Sequence, residues 1–522
     1  MTAAPERSLL GQLRDHARQF GDTVAVREHT GADWLTTTWS QLLSRVRTVA
    51  HNAGQLPAGQ GPVVVALENS TNGVAMLLGL ALAGVDVLCT EPETSQLTDP
   101  HSVLYRVPVS GLITRQVPDG LPSAPHPALT YERLLTRPAH GGRPWAEPRE
   151  DPAVHQLTSG STGEPTAVRQ TLATVGRGGV LYRDIHGYTS ADRVFLPLPL
   201  AHSFGMVGGM AAAIMARAEL MLLPKFSLSA CHDALDTGAT VLLGTPLFYR
   251  LLASSRPEPA AVAAVRVALS SGGPLPEETR RLATKALGLT VHQVYGSTET
   301  GLIACQRGPD AGPPDSVGAV APGVEWRLVH DERLSPEPDS GVLHVRTSTM
   351  FTGRLGPSGA LPRPADAWYD TGDVARVDSS GRLTLLARKD TFINVGGRKV
   401  NPRRVERIVA GHDAVREVHV FGAEDAGGEE AVHAAVVLAP RGTPGRAPTA
   451  ALHTYLRSRL LPYEVPHQLH LLPRLPRTAL GKVDLPALRA SVLATRSTAP
   501  AAPPPGHEPI AHPHVPISEV ED

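Results

Sequence analysis

Leu157-Thr158-Ser159-Gly160-Ser161-Thr162-Gly163-Glu164-Pro165 crowds hydroxyls and glycines into a short run behind a few apolar residues. Glycine lets a backbone turn tightly and approach a ligand closely. Backbone N–H groups and hydroxyls arranged this way suit the oxygens of a polyphosphate. Thr158, Ser159, Gly160, Ser161, Thr162 and Gly163 are therefore candidate nucleotide-binding positions. The run is not a P-loop of the G-x-x-x-x-G-K-[ST] kind, and it carries no lysine. Taken alone it also fits a plain Ser/Thr/Gly surface turn.

The rest of the chain narrows the choice. Its 522 residues exceed one ordinary core, so more than one domain is expected. A content of 42% hydrophobic and 19% charged residues is that of a globular protein. The formal net charge of -1 creates no global field toward nucleic acid or a membrane surface. Only five lysines occur (Lys225, Lys285, Lys389, Lys399, Lys482), so a lysine in a loop stands out. Cys89, Cys231 and Cys305 lie far apart, without zinc-ligand spacing and in odd number, which argues against a disulfide framework and for a reduced, cytoplasmic setting. The start of the chain reads as an amphipathic helix rather than a signal peptide, and no run approaches the ~18 apolar residues of a membrane span.

Strands such as Val63–Leu67, Gly111–Thr114, Arg193–Leu196 and Thr240–Leu243 alternate with helical stretches, the pattern of parallel sheets with covered faces. Val342–Val345 and Leu383–Leu386 suggest a later antiparallel portion. A smaller α+β unit is expected over 388–494, and a Pro/Ala/His-rich disordered tail over 495–522.

Further runs carry chemistry. Tyr295-Gly296-Ser297-Thr298-Glu299 offers a ring for a purine and a carboxylate for Mg²⁺. Ser270-Ser271-Gly272-Gly273-Pro274-Leu275 lets a flat base approach the backbone. Trp368-Tyr369-Asp370-Thr371-Gly372-Asp373 supplies an aspartate suited to two ribose hydroxyls. Arg388-Lys389-Asp390, Gly396-Gly397-Arg398-Lys399 and Gly481-Lys482 complete the series. Each alone is an ordinary turn or a solvated basic loop.

In order and spacing, these runs together resemble the adenylate-forming superfamily: acyl- and aryl-CoA synthetases, adenylation domains of peptide synthetases, and firefly-type luciferases. The resemblance covers about residues 8–490. It implies an α/β fold with a large N-terminal AMP-binding domain over 1–387. That domain would hold two α/β subdomains and a small β-barrel-like subdomain, followed by a mobile α+β C-terminal domain. It also implies roles. Thr158, Ser159, Ser161, Thr162 and Gly163 would hold the β- and γ-phosphates. Gly272, Gly273 and Tyr295 would frame adenine, with Pro274 and Gly296 also among the ATP-binding positions, and Asp373 and Arg388 would hold the ribose. Thr298 would contact the α-phosphate, Glu299 would bind Mg²⁺, and Lys482 would bridge carboxylate and α-phosphate. Asp390 would be the hinge, with Gly396, Gly397 and Arg398 lining the thiol tunnel. The family's loop usually reads Pro-Lys-Gly where this chain has Pro165-Thr166-Ala167; Arg169 is the nearby cation that could substitute.

Pro199-Leu200-Ala201-His202-Ser203-Phe204-Gly205 corresponds to the segment beside the acyl pocket, where His202 would meet the substrate carboxylate. Met206, Val207, Thr245, Ser271, Gly296, Thr300, Gly301 and Leu302 would form the wall. They are small or apolar, and the segment lacks the Asp that amino-acid activators use, so an acyl or aryl acid without an α-amine is expected. The implied cofactors are ATP, Mg²⁺ and CoA, the alternative being the phosphopantetheine of a separate acyl carrier protein. A basic cluster (Arg398, Lys399, Arg403, Arg404, Arg407) suits either. A reading from another class is a catalytically impaired nucleotide-binding paralogue, resting on the missing loop lysine. No nucleic acid partner is expected.

Overall fold

The structure is a computed structural model. It describes residues 8–496 apart from 57–60, 120, 122–127, 137–145, 147, 149–150, 160–164, 309–312, 314, 331–338, 390–391, 396–397, 425–429, 440–447, 479–480 and 482.

Short runs of β-branched and leucine residues form the strands of two large sheets. The first has eight strands, in the order Gly359–Pro362, Gly353–Gly356, Pro165–Thr171, Ala153–Ser159, Val87–Thr90, Val63–Ala66, Gly111–Thr114 and Ala128–Thr130. Its centre is parallel and buried on both faces, as Val63–Ala66 and Val87–Thr90, buried at every position, require. At one side Ala153–Ser159 turns back antiparallel into Pro165–Thr171, pairing Thr158 with Thr166. The ribbon 353–362 then adds to that edge, pairing Arg354 with Val168 and Leu355 with Ala167.

The second sheet has thirteen strands. Val291–Ser297, Val267–Ser270, Val241–Gly244, Arg193–Leu196, Glu219–Leu222 and Val24–His29 run parallel. From Val291–Ser297 onward the pairing becomes antiparallel through Gly301–Cys305, Ser316–Val320, Arg382–Arg388, Tyr369–Val377, Ser340–Arg346 and Glu325–Val329. The portion expected as barrel-like thus continues this sheet.

Helices between the sheets join both into the largest hydrophobic cluster, which includes Val63, Val87 and Val154 from the first and Val194, Val241 and Leu269 from the second. Helix Thr71–Leu82 is buried on all sides, capped by the Ser70 hydroxyl. Just before it, the Asn69 side-chain amide donates to the carbonyls of Leu196 (3.1 Å) and Leu223 (2.8 Å), tying the first layer to the second.

The C-terminal unit folds Val415–Glu424, Glu430–Leu438 and Gln468–Leu471 into a three-stranded sheet with its own core of Val405, Val409, Val436 and Leu452. Its last helix, Leu485–Arg496, runs two residues past the boundary read from sequence. Residues 497–522 lie outside the described residues. Among the described residues no helix is long and apolar enough to cross a membrane.

Candidate active site

Side chains alternate along a strand, so Gln156, Thr158, Thr166, Val168, Gln170 and Arg354 share one face of the first sheet. Four contacts show what that face looks on. The Gln156 amide donates to Ala201 O (2.8 Å) and the Gln170 amide to Thr298 O (2.9 Å). The Thr158 and Thr166 hydroxyls lie 3.2 Å apart. The Arg354 guanidinium stands 3.6 Å from the Glu299 carboxylate. Arg169 belongs to the opposite face, where it donates to Thr352 Oγ1 at 2.8 Å. Arg169, the nearby cation that could have substituted for the loop lysine, is turned away from this face by the pleat.

The turn between Val291–Ser297 and Gly301–Cys305 carries Thr298 and Glu299. Ser297 N–H donates to Thr300 Oγ1 (3.1 Å), and Phe351 N–H donates to Glu299 O (2.8 Å). Gly301 closes the turn at φ +69°, and a Cβ there would sit 2.7 Å from Thr349 Oγ1. A Cβ on Gly296 would fall 2.1 Å from Gly301 O, so close backbone approach requires glycine at 296 and the left-handed backbone favours it at 301.

Asp373 and Arg388 are direct partners across adjacent strands, with Arg388 Nε 3.8 Å from Asp373 Oδ1. Tyr295 Oη donates to Asp373 Oδ2 at 2.6 Å. Burial, then the Asp373 charge, pushes the Tyr295 hydroxyl well above its usual range, so it stays a donor. Nearby, Tyr369 is pushed up to about 12, first by burial and then by Glu299. Tyr295, Asp373, Arg388, Tyr369, Glu299 and Arg354 thus form one continuous polar seam. Gly272, at φ +87°, faces Thr245, and nothing stands within 4 Å of the Cβ position of Gly273. Pro274 follows them in the turn after Val267–Ser270.

Where the acyl pocket is expected, His202 Nε2 lies 2.9 Å from Glu91 Oε1. The hydrogen bond with His202 holds the Glu91 carboxyl below the usual carboxylate range. Sequence reasoning missed Glu91; its only signal is an acidic residue directly after the buried strand Val87–Thr90. His202 precedes a π-helix over Phe204–Ala211, a wider coil often found at functional positions. Met206, Thr300 and Leu302 are fully buried, Val207 and Thr245 nearly so. Ser271 Oγ donates to Val294 O at 3.2 Å.

Gly160, Ser161, Thr162, Gly163, Asp390, Gly396, Gly397 and Lys482 lie outside the described residues, as do the side chains of Ser159 and Arg398. Their neighbours are informative. A Cβ on Gly481 would come 2.7 Å from Leu247 Cδ2, two residues after Thr245, so the C-terminal unit docks at that side. Glu417 bridges the units, accepting from Arg250 (3.1 Å) and Arg477 (2.7 Å). Arg404 of the expected basic cluster pairs with Glu464 at 3.0 Å. Among the described residues, no three His, Cys, Asp or Glu side chains gather for a metal.

Two stacked α/β layers meeting at glycine-rich turns, with a small unit docked on one side, match known proteins throughout. The model for AMP-binding enzymes fits residues 13–354, and that for the AMP-binding enzyme C-terminal domain fits 404–482. The chain therefore belongs to the AMP-binding enzyme family, the adenylate-forming class. It is 31% identical over 367 residues to an indoleacetate–CoA ligase of Aromatoleum aromaticum, spanning 68% of this chain and 70% of that one. It is 30% identical over 539 residues to an isonitrile lipopeptide synthase of Streptomyces coeruleorubidus, spanning 93% of this chain and 34% of the synthase. ATP-bound MatB from Rhodopseudomonas palustris shares the fold with TM-score 0.79 at 23% identity, over 93% of this chain and 98% of that one.

Proposed function

We propose that this chain activates a carboxylic acid lacking an α-amine as its acyl-adenylate, releasing pyrophosphate, and passes the acyl group to the thiol of CoA. The observation that supports the reading is the seam from Tyr295 through Asp373 and Arg388 to Glu299 and Arg354, a row of side chains suited to a ribose and to phosphates. In this reading the Asp373 carboxylate accepts the ribose hydroxyls and the Arg388 guanidinium steadies it. Gly272, Gly273 and Pro274 flank the base, and Thr298 meets the α-phosphate. Mg²⁺ at Glu299 would supply charge stabilisation as pyrophosphate departs. His202, held by Glu91, stands beside the acid, and the buried Met206, Val207 and Leu302 favour an acyl or aryl group. Lys482 is assigned the bridge between the two anions, Asp390 the hinge, and Gly396-Gly397-Arg398 the passage for the thiol arm. The name of the indoleacetate–CoA ligase favours CoA over a carrier protein as acceptor.

The test is acid-dependent exchange of labelled pyrophosphate into ATP across aryl, short, medium and long acids, followed by CoA and mass analysis of the product. Lys482→Ala should lower exchange by about 10²–10³. No exchange with any acid would sink the reading.

A further inference from the structure

The face of the first sheet that looks onto Thr298 and Glu299 carries no cation on the two strands flanking 160–164. Its positions there are Val154, Gln156, Thr158, Thr166, Val168 and Gln170. A polyphosphate arriving on that face meets hydroxyls, amides and the Glu299 carboxylate. The charge it needs comes from elsewhere in the chain. The strand Gly353–Gly356, nearly two hundred residues later, pairs with the edge of Pro165–Thr171 and puts Arg354 opposite Val168. Arg354 is therefore the diagonal neighbour of Thr166 on the same face, a spacing long side chains span.

Its surroundings aim it at this site. The guanidinium lies 5.2 Å from the Phe351 ring centroid, which supports the flat group from one side. Nη2 is 3.6 Å from Glu299 Oε1, an ion pair longer than a good hydrogen bond. Arg354 Nε, closed to solvent, has no hydrogen-bond acceptor. A planar fork with donors in hand, held beside the carboxylate assigned to Mg²⁺, is matched in shape and charge to a phosphate.

We infer that Arg354 is the cation that holds the β,γ-phosphate portion of MgATP in this chain, doing from a neighbouring strand what a basic residue at position 166 would do. The inference rests on the nucleotide reading proposed above. When Glu299 turns to the metal, Arg354 turns to the phosphate oxygens.

The test is calorimetric binding of MgATP and of AMP to the full chain. AMP lacks the β- and γ-phosphates and serves as the internal control. Arg354→Ala should weaken MgATP by about ten- to a hundredfold, the worth of hydrogen bonds to a charged group, and leave AMP unchanged. Arg354→Met keeps the stem over Phe351 and should do the same if alanine at this position unfolds the protein. Adding Thr166→Lys to Arg354→Ala should recover most of the MgATP affinity. An unchanged ratio of MgATP to AMP affinity in both Arg354 variants would overturn the inference while leaving the nucleotide reading intact. A wild-type chain that binds neither nucleotide would overturn both.

Discussion

Replacing Tyr295 by Phe removes one oxygen and leaves the ring. That oxygen donates a 2.6 Å hydrogen bond to Asp373, whose side chain is nearly buried. The length falls in the strong range for O–H donors to carboxylates. Hydrogen bonds to charged groups are worth about 1.5–3 kcal/mol net. The Arg388 partner, at 3.8 Å, is too distant to hold the carboxylate's direction by itself. If Asp373 receives the ribose hydroxyls, its aim matters more than its presence, and part of that energy should appear as lost ribose recognition. About 1.4 kcal/mol of it is tenfold in affinity. The assay compares AMP with 2′,3′-dideoxy-AMP by calorimetry at neutral pH, where the phenol is protonated. The wild-type chain should prefer AMP strongly, and Tyr295→Phe should shrink that preference by about tenfold. Equal losses for both nucleotides would mean that Tyr295 supports the base or the fold, and would refute the reasoning.

Glu417→Gln should loosen the dock between the two units, slowing pyrophosphate exchange by about tenfold while sparing CoA attack on added acyl-adenylate. Burial opposes the Glu417 charge, but Arg477 and Arg250 outweigh it and lower its pKa, so its stabilising contribution holds at neutral pH and is lost as pH falls through its lowered pKa; thermal melts of wild type and variant should converge in acid. Gly301→Ala should cost at least about 1–2 kcal/mol of stability from its left-handed backbone, with exchange activity falling because Glu299 shifts; pairing it with Thr349→Ala should recover part of both. Burial lowers the His186 pKa to about 3, so the unfolded chain binds the extra proton first; stability should fall by up to about 1.4 kcal/mol per unit as pH drops from about 6.5 toward 3. His186→Phe, which keeps the packing against Tyr182 and Tyr188, should flatten that acid limb in thermal melts.

The buried strands and the alternation of strand with helix were legible because an apolar run bounded by turn residues has few other solutions. Glu299, Asp373, Arg388 and Tyr295 were legible as residue types suited to a nucleotide, and they come together in the fold. Arg354, Glu91 and Tyr369 were not. Arg354 reaches its site only because the ribbon 353–362 pairs with the first sheet instead of the second, and no local pattern encodes that choice. Glu91 and His202 are 111 positions apart and meet where two layers stack. The turning away of Arg169 was not legible, because proximity along a strand says nothing about which face a side chain occupies. The π-helix at Phe204–Ala211 was equally hidden, since an apolar glycine-rich run looks alike at either helical pitch.

The ribbon 353–362 also has a role in assembly. It pairs along the outer side of Pro165–Thr171, whose backbone groups would otherwise be an open sheet edge. During synthesis that edge exists for the time needed to make nearly two hundred further residues. The nascent first sheet is then sticky along the strand Pro165–Thr171. A fragment ending before Gly353 would keep its core strands yet expose this edge, and should associate through it. The segment that brings Arg354 to the site is thus also the one that closes this edge once it has been made.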